Sequence, residues 1–414
     1  MRSGATAVRA AAVAALGILA APAAAGSLRL ADAIGRARAA NAELRAAAAD
    51  LEAARGRLRQ AGLVPANPVL GSELSRHRKP PPEGTGLDRE ISLGQEVEVG
   101  GQRGLRLSGA RHDVARAEHV LADKQRTVDG EVQRAFAGVT AAERRRDLAA
   151  ESAAVARRVV EATRRRARAG DVGELEVQLA QIEVTRAEQA LAAAEVDRAR
   201  AGARLATAIG AEPGEVVAVA EDEGSVEPPP SEEALVARAL AARPDLAAAR
   251  EERARLDAEA DLTHRRGWLP NPTFEGFYRQ EVGDERVVGG RVSVPLPVWN
   301  RQQGAEAELR AQALAAAAEA ARLMREIPRQ VHLAFVRRAT AAAAWERYQR
   351  EALPAAGTVR ELLERAFGSG YLGLPEVLVQ QDRLVQVRSA AIGAWLDLRE
   401  AEADLIEAVG EGGE

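Results

Sequence analysis

Residues 267–304 read GWLPNPTFEGFYRQEVGDERVVGGRVSVPLPVWNRQQG, and this stretch decides how the rest of the chain is interpreted. It contains five of the twelve aromatic residues, whereas the sequence on both sides is rich in Ala, Arg, Glu and Leu. Its second half alternates apolar with polar, small or proline residues, a period of two that is typical of a strand with one apolar face. The stretch therefore predicts two strands, Asn271–Glu281 and Arg286–Val298, joined by a turn.

A second copy of this hairpin lies between residues 64 and 101, where Asn67-Pro68 matches Asn271-Pro272. Strands of about ten residues can cross the hydrocarbon layer of a membrane when they are tilted. Because a membrane does not tolerate unpaired strand edges, four strands per chain predict that several chains close one barrel.

The alternation assigns side chains to the two sides of such a barrel. Charged residues are expected on the lumen side (Glu96, Glu98 and Arg291) and apolar residues on the lipid side (Leu93, Val97 and Val292). Trp268 and Trp299 lie at the open end of the second hairpin. This position suits the aromatic girdle of a membrane interface.

The composition outside the hairpins favours long helices. Hydrophobic residues make up 47% of the chain and are mostly Ala, while aromatic residues are only 3%, which suits helices packed closely side by side. The formal net charge of −4 gives no indication of a nucleic-acid partner. There is no cysteine, which excludes disulfides, thiolate metal sites and a lipid on an N-terminal cysteine of the mature protein.

Residues 1–25 have the pattern of a secretory signal peptide. Arg2 and Arg9 give a basic start, residues 10–21 form an apolar run too short to span a bilayer as a helix, and residues 23–25 supply small side chains for cleavage. A disordered Ala-rich start is the alternative. We expect export across the inner membrane and a mature protein that begins near Gly26.

The mature sequence contains an internal repeat, in which Gly370 and Gly373 lie 200 residues after Gly170 and Gly173. The first repeat, 26–220, has a helix, a hairpin at 67–99, a very long helix, a tip at 169–173 and a last helix. A linker at 221–230 leads to the second repeat, 231–410, with its hairpin at 271–298 and its tip at 369–373, followed by a tail at 411–414. The predicted helices are Leu28–Gly62, Gln102–Ala167, Glu174–Ile209, Glu233–Arg266, Ala305–Ala366 (kinked at Pro328 and Pro354) and Leu374–Val409.

This ordered set of features resembles the outer-membrane factor family, the TolC-like outer membrane efflux proteins. The resemblance rests on residues 41–44 and 243–246 of the opening helices, the two Asn-Pro strand entries, residues 294–301, and the glycine turns before Glu176 and Glu376. The stretch VPLPVWNR at 294–301 is most similar to the CzcC/CusC heavy-metal efflux branch.

The resemblance implies a mainly α fold with a membrane β-barrel. Three chains form a homotrimer, in which four strands per chain make a 12-stranded barrel and the long antiparallel helices make a coiled-coil tunnel. The implied protein is an exit duct in the cell outer membrane, with a tunnel extending into the periplasm. It is a passive channel, coupled through a periplasmic adaptor (membrane fusion) protein to an inner-membrane pump of the RND type, and the branch implies heavy-metal cations as cargo.

By the same resemblance, the two glycine turns form the periplasmic mouth that meets the adaptor and can close. The tip residues are Gly170, Asp171, Gly173, Gly370, Tyr371 and Gly373. Glu376 is the expected pore gate. The simpler explanations are that the glycines cap helices and that an acid at a helix start interacts favourably with the helix dipole.

The sequence offers no convergent catalytic or cofactor site, so neither an enzyme nor a cofactor is predicted. The five histidines are scattered, and residues 100–104 (GGQRG) are not followed by the returning strand of a nucleotide-binding unit. Two alternatives to the metal-efflux duct stay open. One is a drug, solvent or type I secretion duct, and the other is a periplasmic coiled-coil structural or adaptor protein whose predicted strands are loops.

Overall fold

The computed structural model describes residues 28–78, 85–212, 219–220, 228–281, 285–368 and 371–410. The predicted signal peptide at 1–25, the tail at 411–414, Gly370 and the loop ends of both hairpins lie outside the described residues. So do residues 221–227 of the predicted linker.

Both halves of the chain have the same order of elements. In the first half these are α1 Leu30–Ala40, α2 Ala42–Gly62, β1 Val69–Arg78, β2 Thr85–Glu96, α3 Gln102–Arg168 and α4 Glu174–Ala208. In the second half they are α5 Glu232–Ala242, α6 Pro244–Trp268, β3 Thr273–Gln280, β4 Arg286–Ser293, α7 Gln303–Arg347, a π-helical turn Tyr348–Ala352, α8 Leu353–Gly368 and α9 Leu374–Val409. The long helix α3 therefore corresponds to α7, the π turn and α8 together.

Two helices that the sequence predicts as single, Leu28–Gly62 and Glu233–Arg266, are each divided in the structure. In the first, the Asn41 side chain accepts hydrogen bonds from the backbone N–H groups of Glu43 and Leu44 and so begins α2 as an N-cap. In the second, Arg243 precedes a proline, which disfavours helical backbone angles at Arg243 and starts a new helix at Pro244. The two predicted helices were each too long for the same reason, because the N-cap residues Asn41 and Arg243 were counted as helix interior.

The long helices differ in their continuity. α3 runs for 67 residues without a break, which is about 100 Å at 1.5 Å per residue. α7 passes through Pro328 without interruption. At Pro354 the helix changes instead, because proline has no N–H to donate. The N–H of Leu353 bonds to the carbonyl of Tyr348, five residues earlier, and closes the π turn.

The four strands form one antiparallel sheet in the order β1-β2-β3-β4. The central pairing of β2 with β3 joins the two halves of the chain, with Ile91 opposite Tyr278. β4 ends at Ser293 and not at the predicted Val298, because Pro295 and Pro297 have no N–H with which to extend the ladder.

The apolar interior is divided into clusters along the helices. One cluster joins α1, α3 and α4 through side chains such as Ile34 and Leu205, and the corresponding cluster of the second half joins α5, α7 and α9. A third cluster lies at the far ends of the helices and includes Val184 and Leu374, the latter at the start of α9. Both helix turns therefore lie together, at the opposite end of the long helices from the sheet. None of the described helices combines the length and the hydropathy that crossing a bilayer requires.

Candidate channel-forming surfaces

One face of the sheet is largely apolar, with arginines only towards the loop ends of its strands, and is exposed in the single chain. The strand register places side chains from all four strands on this face: Leu70, Leu74, Ile91, Leu93, Phe274, Tyr278, Val288 and Val292. Val288 is 80% exposed and Leu70 is 75% exposed. A contiguous apolar surface of this kind marks contact with lipid or with another protein surface. Leu93 and Val292, both predicted for the lipid side, lie on it.

The opposite face of the sheet carries a network of charges. Glu90 is only 7% exposed and accepts hydrogen bonds from Nε and Nη2 of Arg279, at 2.8 and 2.5 Å. Nη2 of Arg291 lies 3.7 Å from the second oxygen of Glu90, and Arg291 also donates to Glu275. Both guanidinium groups lie over the Phe277 ring, 5.6 and 5.4 Å from its centre. The network fixes the charged side chains in place on this face.

The sequence-based assignment found only part of this charged face. Glu96 and Arg291 lie on it as predicted, but Glu90 and Arg279 were not identified. The same period of two, extended back along the strand from Glu96, leads directly to Glu90. Glu98 is a correction, because β2 ends at Glu96 and Glu98 instead forms a salt bridge with an arginine in the first turns of α3.

The two predicted interface tryptophans lie where the second hairpin meets the helices. Trp268 is the last residue of α6, and Trp299, which is 89% exposed, lies in the connection from β4 to α7. The Arg301 guanidinium stacks 4.5 Å from the centre of the Trp268 ring. At Gly267 a side chain would collide with the Arg301 backbone, so glycine is needed for this close approach. The base of the hairpin is thereby held against the end of α6.

The first helix turn, between α3 and α4, uses its two glycines differently. Gly170 has a φ of +83°, the left-handed conformation that favours glycine. The N–H of Asp171 bonds to the carbonyl of Arg166 at 3.0 Å and closes the end of α3. Gly173 has an extended backbone and is the N-cap of α4, so only the first glycine needs a positive φ. Asp171 is exposed at the turn.

The second helix turn repeats this geometry as far as the structure describes it. The N–H of Tyr371 bonds to the carbonyl of Ala366 at 3.0 Å, and Gly373 is the extended N-cap of α9. The Tyr371 side chain is 90% exposed. The Glu376 carboxylate is exposed and folds back over its N-cap, where Oε2 would lie 2.6 Å from a side chain at Gly373. Gly370, the remaining predicted tip residue, lies outside the described residues.

An ion-pair bridge ties α3 to α8 and α9, the helices on either side of the second turn, some way along the helices from the turns themselves. Glu151 of α3 accepts hydrogen bonds from Arg360 of α8 at 2.8 Å and from Arg388 of α9 at 2.6 Å. Burial raises the pKa of the Glu151 carboxyl, but the two guanidinium groups outweigh it and hold that pKa below its usual value. Beside the bridge, a largely apolar cleft of about 310 Å³ separates α3 from α8 and α9.

The histidines do not converge on a site. His112 pairs with Glu251 at 2.7 Å, and His264 and His332 each pair with one glutamate on a neighbouring helix at 2.9 Å. Among the residues that the structure describes, no group of three or more His, Asp or Glu side chains could hold a metal ion.

Both halves of the chain match the same family. The family model for outer membrane efflux proteins aligns with residues 33–211 and again with residues 235–411. The chain belongs to the outer membrane efflux protein family. This finding confirms the family predicted from the ordered motifs, and the two matches coincide with the two sets of elements.

This outer membrane efflux protein is 28% identical over 257 residues to the cobalt-zinc-cadmium resistance protein CzcC of Cupriavidus metallidurans. That alignment covers 61% of the chain and spans 59% of the length of CzcC. The fold is similar to the CmeC outer membrane channel of Campylobacter jejuni, with a TM-score of 0.74 at 14% identity over 93% of this chain and 86% of CmeC. It is also similar to CusC, with a TM-score of 0.73 at 16% identity over 92% of each chain. The predicted fold class, mainly helical with four strands per chain, is confirmed.

Proposed function

We propose that this outer membrane efflux protein is the outer-membrane exit duct of a tripartite efflux pump. The observation that carries the proposal is the position of the two-faced sheet at one end of the long helices and of both helix turns at the other. Three copies of the sheet supply twelve strands, which are enough to close a barrel around an open lumen. The trimer places this barrel in the outer membrane and extends the helices into the periplasm as a tunnel.

The two faces of the sheet support this arrangement. The exposed aliphatic and aromatic side chains suit lipid, while the network of Glu90, Arg279 and Arg291 suits a water-filled lumen. Trp268 and Trp299 lie at the helix end of the sheet, where an interfacial girdle on the periplasmic side belongs. The same placement disfavours a purely periplasmic coiled-coil protein, because its hairpins would have no reason to expose an apolar face.

The helix turns are proposed as the periplasmic mouth that contacts the adaptor protein. Asp171 and Tyr371 are exposed there, and Gly170, Gly173, Gly370 and Gly373 complete the proposed set of tip residues. Glu376 is proposed as the gate, because three copies around one axis bring three Glu376 carboxylates into a ring. A ring of carboxylates at a constriction favours cations.

Heavy-metal cations are the proposed cargo, delivered by an inner-membrane pump of the RND type. This part rests on the similarity to CzcC, whose name describes resistance to cobalt, zinc and cadmium. A channel open to water needs no cofactor to pass such ions, and none is proposed. A drug, solvent or secretion duct would share the same architecture, so the cargo is tested separately from the channel.

The channel is tested by expression in a Gram-negative host, followed by separation of the membranes. We expect the protein in the outer-membrane fraction, extracted only by detergent as a trimer, and conducting ions in a planar bilayer. A stable monomer without conductance would contradict the duct. The cargo is tested in a host that has a metal pump and adaptor but lacks the outer-membrane component, where the chain should restore growth in cobalt, zinc or cadmium. Conducting trimers that restore no metal tolerance in this host, but do restore drug or solvent tolerance in a matched host with a drug pump and adaptor, would reject the metal cargo and leave the duct intact.

A further inference from the structure

The apolar face of the sheet changes in character towards the loop ends of the two hairpins. Three exposed arginines lie on this face there, namely Arg76 of β1, Arg89 of β2 and Arg286 of β4. Towards the helices, the same face carries apolar side chains such as Leu93 and Val292. The arginine row, which consists of Arg76, Arg89 and Arg286, therefore borders the apolar surface on the side away from the helices.

The strand register brings the arginine row together. Arg89 is opposite Gln280, which is itself opposite Arg286, so the two arginines lie at the same level and roughly 10 Å apart across the strands. Arg76 is opposite Leu87, two residues before Arg89 in β2, so Arg76 and Arg89 are diagonal neighbours at about 7–8 Å. Long side chains reach each other over such distances. One anion between the strands can therefore contact two arginines of the row.

The face that carries the arginine row has no acidic residue in the described strands. The five acidic residues of these strands all lie on the opposite, charged face: Glu73, Asp88, Glu90, Glu96 and Glu275. Neither Arg76 nor Arg89 has a hydrogen-bond or ion-pair partner among the residues that the structure describes. Like charges at neighbouring positions of a sheet are destabilising. An anion from outside the chain offsets this repulsion.

The position of the row along the strands matches the boundary between lipid and water in a barrel. Arg286 lies six positions before Val292, which is about 20 Å along a tilted strand, and the apolar band of a membrane barrel is about 25 Å tall. The exposed Tyr278 lies on the same face, one step from the row towards the helices. Aromatic residues mark both interfaces of such a barrel, and Trp268 and Trp299 lie at the other end of the second hairpin. These positions suit the level of the lipid head groups, on the side of the membrane away from the helices.

Phosphate on a lipid is the anion that fits both the arginines and their neighbours. The planar guanidinium group donates two parallel hydrogen bonds to one phosphate, which makes arginine well suited to this ligand. The exposed Leu74 lies opposite Arg89 on the same face. Leu87, which is also exposed, lies opposite Arg76. Leucines beside the guanidinium groups suit acyl chains, so the surface matches a whole lipid and not a free phosphate ion.

We propose that the arginine row binds the phosphate-bearing head group of a lipid in the outer leaflet of the outer membrane. One phosphate lies between Arg89 and Arg286, and Arg76 flanks the same head group. The acyl chains cover Leu74 and Leu87. The proposal rests on the proposed function, since it requires the sheet to be part of a barrel in that membrane. Three copies of the chain repeat the site around the barrel and hold the barrel at a fixed depth.

The test removes the charges of the row and compares the result with a matched control. The row variant carries the changes Arg76→Gln, Arg89→Gln and Arg286→Gln. Glutamine keeps a polar side chain at each position and removes the charge. The control variant loses the same charge from exposed arginines of α3 and α4, through the changes Arg145→Gln, Arg158→Gln and Arg198→Gln.

Trimers of each protein, purified in an uncharged detergent, are titrated with lipid A, a glycolipid that carries phosphate groups, and the bound lipid is counted by native mass spectrometry. We expect the wild type and the control variant to bind lipid A equally. The row variant should bind it about tenfold more weakly, because charge-assisted hydrogen bonds to phosphate are lost. Lipid A without its phosphate groups should bind the wild type no better than lipid A binds the row variant, and excess inorganic phosphate should leave lipid A bound.

The outcomes separate this inference from the proposed function. Equal binding of lipid A by the wild type and the row variant, an equal loss in the control variant, or displacement of lipid A by inorganic phosphate would overturn the site and leave a conducting duct standing. So would equal binding of the two forms of lipid A by the wild type. If the row variant does not assemble, Arg89→Gln alone decides, since weaker binding supports the site and unchanged binding rejects it. A wild type that forms neither trimers nor channels would overturn the duct together with the site.

Discussion

The two halves of the chain reach the same geometry with different side chains. Both helix turns close with the same backbone hydrogen bond at 3.0 Å, from Asp171 to Arg166 in the first half and from Tyr371 to Ala366 in the second. The long helices differ, because α3 is continuous where the second half has a π turn before Pro354. The two halves therefore share the backbone of their helix turns and differ in the continuity of their long helices.

The junction between the two opening helices shows the difference most clearly. In the first half, the Asn41 amide caps α2 and donates to the carbonyl of Ala208 at 3.4 Å. In the second half, the buried Arg243 donates to the corresponding carbonyl of Ala408 at 3.2 Å and also to Asp245 and Gln330. A neutral cap and a buried ion pair hold equivalent places, so the two junctions should respond very differently to mutation.

Replacing Arg243 is expected to lower the stability of the protein more than any other change considered. Arg243→Ala leaves the Asp245 carboxylate partly buried without its partner, and losing one member of a buried pair costs about 3–5 kcal/mol. Asn41→Ala, the matched change in the first half, removes an N-cap and should cost about 1 kcal/mol. Thermal unfolding of the detergent-solubilised protein, followed by circular dichroism, should rank the two variants in this order.

A double variant separates the two causes at Arg243. If the loss of stability comes from the unpaired Asp245 carboxylate, the double variant Arg243→Ala, Asp245→Ala should be more stable than Arg243→Ala alone. Equal midpoints for Arg243→Ala and Asn41→Ala would show that the ion pair adds nothing beyond capping.

The next largest effect concerns trimer assembly and is predicted by comparing the two hairpins. Ile91 lies in a central strand and Val292 in an outer strand of the single chain, but both lie on the apolar face. In a closed barrel both positions face lipid, so Ile91→Arg and Val292→Arg should each cost about 2–4 kcal/mol near the middle of the bilayer. The yield of trimers in the outer membrane measures this cost.

Ser293→Arg is the control, because it adds the same charge to the opposite face of β4 and should assemble nearly normally. A severe defect for Ile91→Arg with a mild one for Val292→Arg would show that β4 remains at an edge. Normal assembly of Val292→Arg together with failure of Ser293→Arg would reverse the assignment of the faces.

Much of the fold could be predicted from the sequence because its signals are local and periodic. The period of two identified both hairpins and the faces of Leu93, Val292 and Arg291. The repeat of glycines identified both helix turns. Local signals also explain the errors, since the N-cap Asn41 and the helix-starting Pro244 are easily counted as helix interior when only the apolar pattern is followed.

The candidate sites were less predictable because they depend on distant parts of the chain. Glu151 meets Arg360 and Arg388 from more than 200 residues away, and no spacing in the sequence connects them. Glu98 was assigned to a lumen by alternation alone, but its strand ends first and a nearby arginine binds it. The contacts of Glu151 follow from the packing of α3 on α9, whereas that of Glu98 follows from where β2 ends.

A smaller effect on stability is expected at Glu151, whose equivalent position in the second half is the exposed Glu351. The pKa of Glu151 is lowered in the folded state, so its pairing stabilises the protein above the unfolded value of about 4.5 and is lost as the pH falls through the lower folded value. The side chain is 37% exposed, so solvent screening limits the contribution to about 1 kcal/mol or less. Glu151→Gln should lower the unfolding midpoint at pH 7 and lower it less at pH 3, below the unfolded value.

Glu351→Gln is the matched control and should change the midpoint little at either pH. If Glu151→Gln destabilised the protein equally at pH 7 and pH 3, the loss would come from packing and not from the ion pairs with Arg360 and Arg388.

The smallest effects on stability are expected at Glu176 and Glu376. The same two residues also test whether only the second half of the chain forms the constriction. Both carboxylates fold back over the glycine that begins their helix, so each Glu→Gln change should cost about 0.3–1 kcal/mol through the helix dipole. The gate proposal adds an asymmetry, because it places only Glu376 at the constriction. Glu376→Gln should reduce the cation selectivity of single channels, measured as the reversal potential under a salt gradient, while Glu176→Gln should leave that potential close to the wild-type value. Equal reversal potentials for the wild type and both variants would show that neither glutamate acts beyond stabilising the start of its helix. A larger change for Glu176→Gln than for Glu376→Gln would place the constriction in the first half of the chain.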